Sequence, residues 1–507
     1  MPTTSFIFLK KGYLVQPDLI NFVNGIDPEL VLDLLKDLNA PKIVSLSFFK
    51  KNKESILHLI NKYITNGKFE KTVIISLKNK VEAIDGEKKE EREIKERFKE
   101  GYEEIFDVKD LITPKKVDVK DFVSFFKSRF NYFKEILKSR KELNNLTSID
   151  KLPKSNQNIS IIGMVLEKRE TKNKNIIITL EDGKGITNVL INRNRVDVYN
   201  KALSLVEDEV IAVKGFGNRE IIFASDILFP EILNDKNKKI KEDKNLLFIS
   251  DVHVGSEKFL EANFRKFIKW VNCEIGNETQ KARAKKVSHI FIVGDLVDGV
   301  GIYPTQEEEL SIKDIREQYK AAAELFDEIR KDIKIIFIPG NHDAVRLVEP
   351  QFFNDYAKPL QKLENATLLP NPSYYNVYGY RVLLYHGYSL DYYANNVYAL
   401  KQLKPYENPE VLLKFLLTKR HLAPVHGSTL YMPTEEDFFV IKKIPDIFVT
   451  SHVHKTGTSW YRGILLISTS CWQARTPFQE KVGHIPDPCK VPIFNTKTKR
   501  INILDFS

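Results

Sequence analysis

Five runs of mostly apolar residues in the C-terminal half of the chain each end just before a side chain that can bind a metal ion. Such runs are typical of strands that are buried on both faces in layered α/β domains. Intervals of 44 to 66 residues separate the run ends, which leaves room for a strand, a helix and a return strand. Because α/β sheets place their sites at the carboxyl ends of strands, we expect these ends to lie together at one edge. The runs are LLFIS before Asp251, IFIVG before Asp295, IKIIFIPG before Asn341, RVLLY before His386 and DIFVTS before His452.

The hydrophobic pattern changes to a period of two upstream of this domain, in a segment that spans residues 151–233. Five short strands with Gly-containing turns in about 75 residues are typical of a small Greek-key barrel of the oligonucleotide-binding (OB) type. A barrel of this kind can grip a nucleic-acid strand or serve a purely architectural role. The predicted strands cover residues 159–165, 176–180, 189–191, 209–214 and 221–225.

Helical periodicity predominates in the N-terminal region, where residues 1–75 predict a small helical domain. Asp27 and Pro28 have the residue types of an N-cap and a first helical position. A second helix is predicted over residues 55–64. A dense mixed-charge run, GEKKEEREIKERFKE, then indicates a charged linker over residues 76–118.

An amphipathic segment over residues 119–150 precedes the predicted barrel. Its helix is expected over residues 119–143. We expect the aromatic side of this helix to pack into a core and its basic residues to remain solvated. The aromatic side carries Phe122, Phe125, Phe126, Phe130, Phe133 and Ile136, and the basic residues are Lys127, Arg129, Lys134, Lys138 and Arg140.

Composition narrows the class of protein. The 507 residues are 42% hydrophobic and 29% charged, which excludes a collagen-like, low-complexity or wholly disordered chain. No signal-peptide pattern and no apolar run of membrane-spanning length is present, and three cysteines are too few for a disulfide framework. These features predict a cytoplasmic protein. The net charge of +10 favours a polyanionic partner without requiring one.

The residues at the strand ends form a recognisable set of metal-binding motifs. In chain order they are D-x-H at 251–253, G-D at 294–295, G-N-H-D at 340–343, H-G at 386–387 and H-x-H at 452–454. Asp, Asn and His suit manganese, iron, zinc or nickel better than thiophilic metals. The single carboxylate of Asp295 is placed to bridge two ions, which would hold an attacking hydroxide and a phosphate oxygen together. Histidines outside this pattern are expected in the core or on the surface, namely His58, His289, His421, His426 and His484.

These motifs resemble those of the calcineurin-like metallophosphoesterases over residues 245–507. More narrowly, the stretches FISDVHVGSEKF, VGDLVDGVGIYPTQEEEL, IPGNHDAVRLVEPQ, RHLAP and CWQARTPFQ resemble the small subunits of the archaeal D-family DNA polymerases. The barrel and the DFVSFFKSRF helix extend this resemblance upstream to about residue 119. The resemblance implies a layered β-sandwich flanked by helices. It also implies a 3′–5′ DNA exonuclease that proofreads for a separate polymerase subunit, with polymerase activity only in the complex.

The resemblance also implies roles for individual residues. One divalent ion would be held by Asp251, His253, Asp295 and His454, and the other by Asp295, Asn341, His386 and His452. Manganese is the expected metal, with iron, zinc, nickel and magnesium as alternatives. His342 would protonate the leaving 3′ oxygen, and Asp343 would orient its imidazole. Ser451 departs from the family pattern, because a glycine usually precedes the H-x-H motif.

Substrate and partner expectations follow from the same region. Tyr303, Gln306 and Arg346 lie on the loops just past Asp295 and Asn341, where an aromatic ring can stack on an unpaired base and an arginine can bind phosphate. The expected partners are single-stranded or frayed 3′ DNA ends and the large catalytic subunit of the polymerase. A sliding clamp is a further candidate partner for the N-terminal helices.

Three other functions compete with proofreading. A repair nuclease of the Mre type normally begins with the phosphoesterase domain, whereas about 245 residues precede it here. In a non-catalytic assembly subunit, as in the similar eukaryotic B-subunits, metal ligands are lost, and here all seven are present. A small-molecule phosphatase would use similar chemistry, but the barrel and the basic charge argue against it.

Overall fold

The computed structural model describes residues 4–66, 69–83, 102–103, 117–232 and 240–507. These residues form two compact units, the first made by the described residues up to 83 and the second by those from 102 onward. Within these ranges, no helix has the length and apolarity needed to cross a membrane.

The first unit is helical, as predicted. The side chain of Asp27 accepts a hydrogen bond from the backbone N–H of Glu29 at 3.0 Å, which confirms the predicted N-cap. The last helix runs to Ala83, beyond the predicted end of the domain at residue 75, whereas the mixed-charge run at 86–100 lies outside the described residues. The elements are α1 (Thr4–Lys10), β1 (Leu14–Val15), α2 (Pro17–Phe22), α3 (Pro28–Asp37), β2 (Ile43–Val44), α4 (Leu46–Lys51), α5 (Lys53–Asn66) and α6 (Lys71–Ala83).

The second unit contains a long helix, α7 (Val119–Lys138), which ends five residues before the predicted position. Asp118 and Asp121 form a capping box at its start. Phe133 and Leu137 of this helix pack on the outer surface of the barrel described below. The prediction of solvated basic residues is wrong for Arg140, which is 8% exposed and donates to the carbonyl of Phe229, and for Arg129, which is only 1% exposed. Its Nε donates to Oδ2 of Asp437 at 2.6 Å, because the helix lies between the barrel and the C-terminal domain.

A closed barrel of five strands follows this helix, and each strand overlaps one predicted from the sequence. The strand order around the barrel is β4-β5-β6-β8-β7, closed by antiparallel pairing of β4 with β7. Alternate residues such as Ile178, Val189 and Ile222 fill its interior. Its elements are β4 (Gln157–Glu170), β5 (Ile176–Glu181), β6 (Ile186–Ile191), α8 (Val196–Leu203), β7 (Val210–Gly217) and β8 (Ile221–Leu228), preceded by a 3₁₀ turn at Ile149–Lys151.

The C-terminal domain consists of two six-stranded sheets flanked by helices, in agreement with the expected layered sandwich. One sheet has the order β12-β11-β10-β9-β18-β19 and the other the order β16-β17-β15-β14-β13-β3. The strands are β3 (Tyr102–Glu103), β9 (Asn245–Ile249), β10 (Val287–Val293), β11 (Lys334–Ile338), β12 (Ala366–Leu368), β13 (Ser373–Val377), β14 (Tyr380–Leu384), β15 (Ile447–Thr450), β16 (Gly457–Tyr461), β17 (Ile464–Ser468), β18 (Lys490–Asn495) and β19 (Ile501–Asp505).

Helices of this domain connect the strands and cover their outer faces. The α-helices are α9 (Glu261–Val271), α10 (Glu278–Lys285), α11 (Ile315–Asp327), α12 (Lys358–Gln361), α13 (Leu390–Asn396), α14 (Tyr398–Lys401), α15 (Glu410–Lys419) and α16 (Pro477–Lys481). Short 3₁₀ turns occupy Gln306–Glu309 and Asp355–Ala357.

Burial on both faces explains the continuous apolar strands. In β9, Leu246 and Phe248 face the second sheet, whereas Leu247 and Ile249 face the helices. The five ligand-bearing strands are indeed parallel neighbours, but they belong to two sheets. Strands β9, β10 and β11 lie in one sheet and β14 and β15 in the other, so the expectation of one continuous sheet edge is corrected to the shared end of a sandwich.

Arg129 provides a test of how α7 is held. Replacing Arg129 by Ala leaves the buried carboxylate of Asp437 without its guanidinium partner, so we expect the free energy of unfolding to fall by about 3–5 kcal/mol. The exposed Lys127 on the same helix is the matched control, and Lys127→Ala should change stability by less than about 0.5 kcal/mol. Urea unfolding of the two variants measures this, and similar midpoints would contradict the proposed role of the ion pair.

Candidate metal centre

The predicted metal ligands lie on tight turns that follow the buried strands. Five of the seven have a backbone φ in the left-handed region, a conformation that is uncommon for residues other than glycine. Such strain persists only where the surrounding structure enforces it, and it is frequent at functional sites. The angles are 47° at Asp251, 54° at His253, 50° at Asp295, 71° at His452 and 50° at His454.

One ligand cluster consists of Asp251, His253 and His454. One ligand atom from each lies within 4.8 Å of the others. The Nε2 atoms of the two histidines are 3.2 Å apart, and Nε2 of His454 is 3.3 Å from Oδ1 of Asp251. All three residues are buried, so few waters can reach the space they enclose.

A second cluster consists of Asp295, Asn341, His386 and His452. Nε2 of His386 lies 2.9 Å from Oδ1 of Asn341 and 3.3 Å from Oδ2 of Asp295. The ring of His452 packs edge-on against that of His386, with 5.2 Å between the centroids. The structure therefore brings all seven predicted ligands into two adjoining groups.

Two observations show that these groups fit divalent cations. Nδ1 of His386 is 3.0 Å from the carbonyl oxygen of Val293 and donates to it, so Nε2 is the nitrogen that faces the oxygens of Asn341 and Asp295. An imidazole nitrogen and two side-chain oxygens that converge on one space form a donor set that suits a divalent cation. In addition, the buried Oδ1 of Asp251 has no well-aligned hydrogen-bond donor among the described residues, since its contact with Nε2 of His454 at 3.3 Å is an ion-pair contact.

Glycines in the motifs allow the close approach of these groups. A Cβ atom on Gly340 would lie 2.2 Å from Oδ1 of Asp295, and one on Gly294 would lie 2.2 Å from Nδ1 of His386. Both positions therefore require the absence of a side chain. Ser451, the departure from the family pattern, fits differently: its hydroxyl lies 2.8 Å from Nδ1 of His386 and adds a contact to that ligand.

His342 lies beside the first cluster, with its ring 4.7 Å from that of His253. Its backbone N–H donates to Oδ1 of Asp295, and its Nδ1 is 2.8 Å from the carbonyl oxygen of Asp298. The orienting contact expected from Asp343 is therefore made by Asp298 instead. The Asp343 carboxylate accepts hydrogen bonds from backbone N–H groups, including that of Gly340 at 2.8 Å, and so shapes the turn.

Asp298 is a site residue that the sequence motifs do not indicate. Its carboxylate lies 2.9 Å from Nδ1 of His253, and it also accepts from Gln306 and Gln473. The side-chain amide of Gln479 has a similar position at the other histidine of this cluster, with its Nε2 3.0 Å from Nδ1 of His454. The G-D-x-x-D spacing was the only sequence signal for Asp298, and it is too common to identify a residue.

The three predicted substrate-binding residues have different environments. Gln306 is fully buried and bonded to Asp298, so the prediction of a substrate contact is wrong for it. Arg346 is partly buried and donates to the carbonyl of Pro350 at 2.7 Å. Tyr303 stacks on Phe478, with ring centroids 5.6 Å apart, and Phe478 is the ring with more exposed surface, at 51%.

Charges within the site compensate one another. Burial alone would raise the pKa of Asp295, but His386 and His342 hold it well below its usual value. Burial would likewise lower the pKa of His386, but Asp295 and Asp251 raise it to about 9. The carboxylates are therefore ionised at neutral pH, as metal ligands must be.

The remaining histidines lie outside both clusters. His421 is buried against Asp437 at 2.9 Å, and His289 packs on Phe291. His58 and His426 are exposed. His484 lies near the clusters and contacts the carbonyl of Val453 at 2.7 Å.

Comparison with known proteins identifies the family. The family model for calcineurin-like phosphoesterases matches residues 244–456. The DNA polymerase II small subunit of Methanothermobacter thermautotrophicus is 40% identical over 393 residues, which are 77% of this chain and 80% of the relative. The chain belongs to the archaeal DNA polymerase II small-subunit family. This result confirms the resemblance to D-family small subunits that the sequence motifs indicated.

Other members of the small-subunit family match over similar lengths. The DNA polymerase II small subunit of Pyrococcus furiosus is 36% identical over 430 residues, 81% of this chain and 69% of its own. Among solved structures, an archaeal phosphodiesterase aligns with 51% of this chain and 98% of its own, at 14% identity and a TM-score of 0.26. The family assignment rests on the sequence relatives.

A buried carboxyl group, that of Glu349, is linked by hydrogen bonds to the backbone of the second cluster. Glu349 is 1% exposed and accepts hydrogen bonds from Thr429 at 2.7 Å and from Asn371 at 3.2 Å. Asn371 in turn accepts from the backbone N–H of His386 at 2.9 Å. Burial raises the pKa of Glu349 to about 7.

The raised pKa of Glu349 predicts a pH-dependent stability. Between about pH 4.5 and 7 the folded protein holds a proton that the unfolded chain has lost, so this group's contribution to stability decreases as pH rises. We expect Glu349→Gln to gain on the order of 3 kcal/mol relative to the parent between pH 4.5 and 8. Asp343, whose pKa is also raised to about 7, is present in both the parent and the Glu349→Gln variant, so its effect on the pH dependence of stability cancels in the comparison. Urea unfolding at the two pH values measures the difference, and parallel curves would contradict it.

Proposed function

We propose that this chain is the proofreading 3′–5′ exonuclease subunit of a heteromeric archaeal replicative DNA polymerase. The observation that carries the proposal is the position of His342. It contacts both ligand clusters, through the ring of His253 and the carboxylate of Asp295, yet it belongs to neither coordination set. A proton donor beside two cation sites is an arrangement suited to phosphodiester hydrolysis, in which the metals activate water and the donor protonates the leaving oxygen.

The metal ligands are assigned from the two clusters. We infer that Asp251, His253, Asp295 and His454 hold one ion and that Asp295, Asn341, His386 and His452 hold the other. Two bound divalent ions, with manganese as the proposed metal, would lower the pKa of an attacking water and neutralise charge on the phosphate.

His342 has the contacts of a general acid. Its Nδ1 is committed to the carbonyl of Asp298, and Nε2 makes no hydrogen bond to the described residues, so Nε2 can reach a substrate oxygen. Burial lowers the pKa of His342, and the carboxylate of Asp295 opposes this shift; the imidazolium form, which carries a proton on Nε2 as well as on Nδ1, is the form that can protonate the leaving 3′ oxygen. Asp298 fixes the rings of both His342 and His253, and we assign it the orienting role.

The rim of the site offers a surface for an unpaired terminal base. The exposed face of Phe478, backed by Tyr303, can stack on a base, an interaction worth about 1–3 kcal/mol. Phe478 directly precedes Gln479, whose amide contacts the ligand His454, so the ring lies at the edge of the first cluster. We propose that this pair selects frayed 3′ ends and that Arg346 remains a candidate phosphate contact.

Polymerisation is assigned to a partner. The relatives are named as small subunits of DNA polymerase II, which implies a larger subunit. We propose that a large catalytic subunit binds this chain and delivers mismatched 3′ ends to it. A net charge of +10 over 507 residues provides only modest DNA affinity by itself.

The central experiment compares the parent with His342→Ala on end-labelled single-stranded DNA with Mn²⁺. We expect digestion from the 3′ end by the parent and a decrease of about 10²–10⁴-fold in the variant, because the leaving oxygen loses its proton donor. Bound metal, counted by elemental analysis, should stay at the parent level. The exposed His58 of the first unit supplies the matched control, His58→Ala, which should retain full activity.

Three results would contradict this proposal. Full activity of His342→Ala would exclude the general acid, and loss of bound metal would make His342 a ligand. A parent protein that digests no DNA, either alone or with the large subunit, would favour a non-catalytic assembly role.

Substitution of Asp295 tests whether its carboxylate is shared by the two metal ions or binds only one of them. We expect Asp295→Asn to lose both ions, because the shared carboxylate charge is removed, whereas His253→Ala should lose mainly one. Elemental analysis after dialysis against Mn²⁺ gives the stoichiometry. Retention of two ions at full occupancy by Asp295→Asn would rule out the bridge.

A further inference from the structure

We propose that Asp391 is a positioning residue for the ligand His452 and that Tyr406 fixes Asp391 in turn. This inference rests on the proposed function, since it concerns the same metal centre. Neither residue belongs to the motifs that identify the ligands.

A continuous chain of polar contacts leads from helix α13 to His452. Oδ2 of Asp391 lies 3.1 Å from Nε2 of His452, and Oδ1 accepts a hydrogen bond from the Tyr406 hydroxyl at 2.9 Å. The Tyr406 oxygen accepts from Nδ2 of Asn395 at 2.9 Å. Asp391 and Asn395 are four residues apart on α13 and therefore share one face of the helix.

These contacts decide which nitrogen of His452 can bind a metal. An ionised carboxylate only accepts hydrogen bonds, so Nε2 of His452 carries the proton and Nδ1 keeps its lone pair. The ring is further held between the rings of His386 and Tyr388, with centroids 5.2 and 5.6 Å away. A carboxylate in this position fixes both the tautomer and the ring angle of a histidine ligand.

Asp391 differs from the groups that orient the other histidines. Those groups are buried, whereas the Asp391 side chain is 51% exposed. Its removal therefore leaves no buried polar group unpaired, and the fold should tolerate the change. The other orienting groups are Asp298 at His253, the carbonyl of Val293 at His386, the carbonyl of Asp298 at His342 and Gln479 at His454.

The test measures Mn²⁺ binding to the full chain by calorimetry and electron paramagnetic resonance, without DNA. We expect Asp391→Ala to weaken one of two sites by about 10–100-fold and leave the other unchanged. Asp391→Asn, which keeps an oxygen acceptor, should recover part of the loss. Tyr406→Phe, which keeps the ring but loses the hydroxyl, should weaken the same site by a smaller factor.

Glu407 provides the matched control, because it is an exposed acid next to Tyr406 whose side chain pairs with Lys404. Glu407→Gln should bind Mn²⁺ like the parent, and an equal loss there would show a general charge effect and overturn the proposal. Parent-like affinity and spectra for Asp391→Ala would also overturn it while leaving the proposed function intact. A parent that binds no Mn²⁺ would instead overturn the metal centre itself.

Discussion

The candidate metal centre depends on the apolar layer that holds two sheets face to face. Leu246 and Phe248 of β9 belong to the same buried cluster as Val382 and Leu384 of β14, which is the layer between the two sheets. Because the layer is closely packed, the strands cannot slide without opening cavities. The two sheets therefore present their carboxyl ends at one place, and the ligand turns that leave them are held in strained conformations.

Charge burial is the second constraint on the site. Carboxylates and imidazoles are brought together at 2.9 to 3.3 Å among buried side chains, at a cost that is offset only by close pairing. Each histidine ring is accordingly fixed by an outer partner on the side away from the cluster centre. Buried charges are also paired between the barrel and the C-terminal domain. Nζ of Lys419 on α15 lies 2.8 Å from the carboxylate of Glu209 in the barrel, and both side chains are buried.

Sequence reasoning worked best where one residue type has one structural consequence. Strands buried on both faces, the N-cap at Asp27 and the alternating barrel strands follow from local pattern, and the structure contains all of them. The sequence-based prediction was wrong for Arg129. An arginine on an amphipathic helix is normally solvated, and only the folded chain shows that Asp437, which is distant in sequence, pairs with this one. The prediction for Gln306 was wrong for the same reason, since its partner Asp298 becomes a neighbour only after the loop folds back.

The sequence by itself determined the family, the layered fold and which residues are candidates for binding metal, because spacing and residue type are properties of the chain. The tertiary structure alone decided that the ligand strands belong to two sheets, that Asp298 rather than Asp343 contacts His342, and that Phe478 exposes the ring which Tyr303 supports. It also placed Asp391 against His452, across 61 residues of chain. The physical reason is that hydrogen bonds and ion pairs form only at distances of about 3 Å. The order of residues along the chain does not give these distances, because they are set when the packed layers fix the positions of the turns.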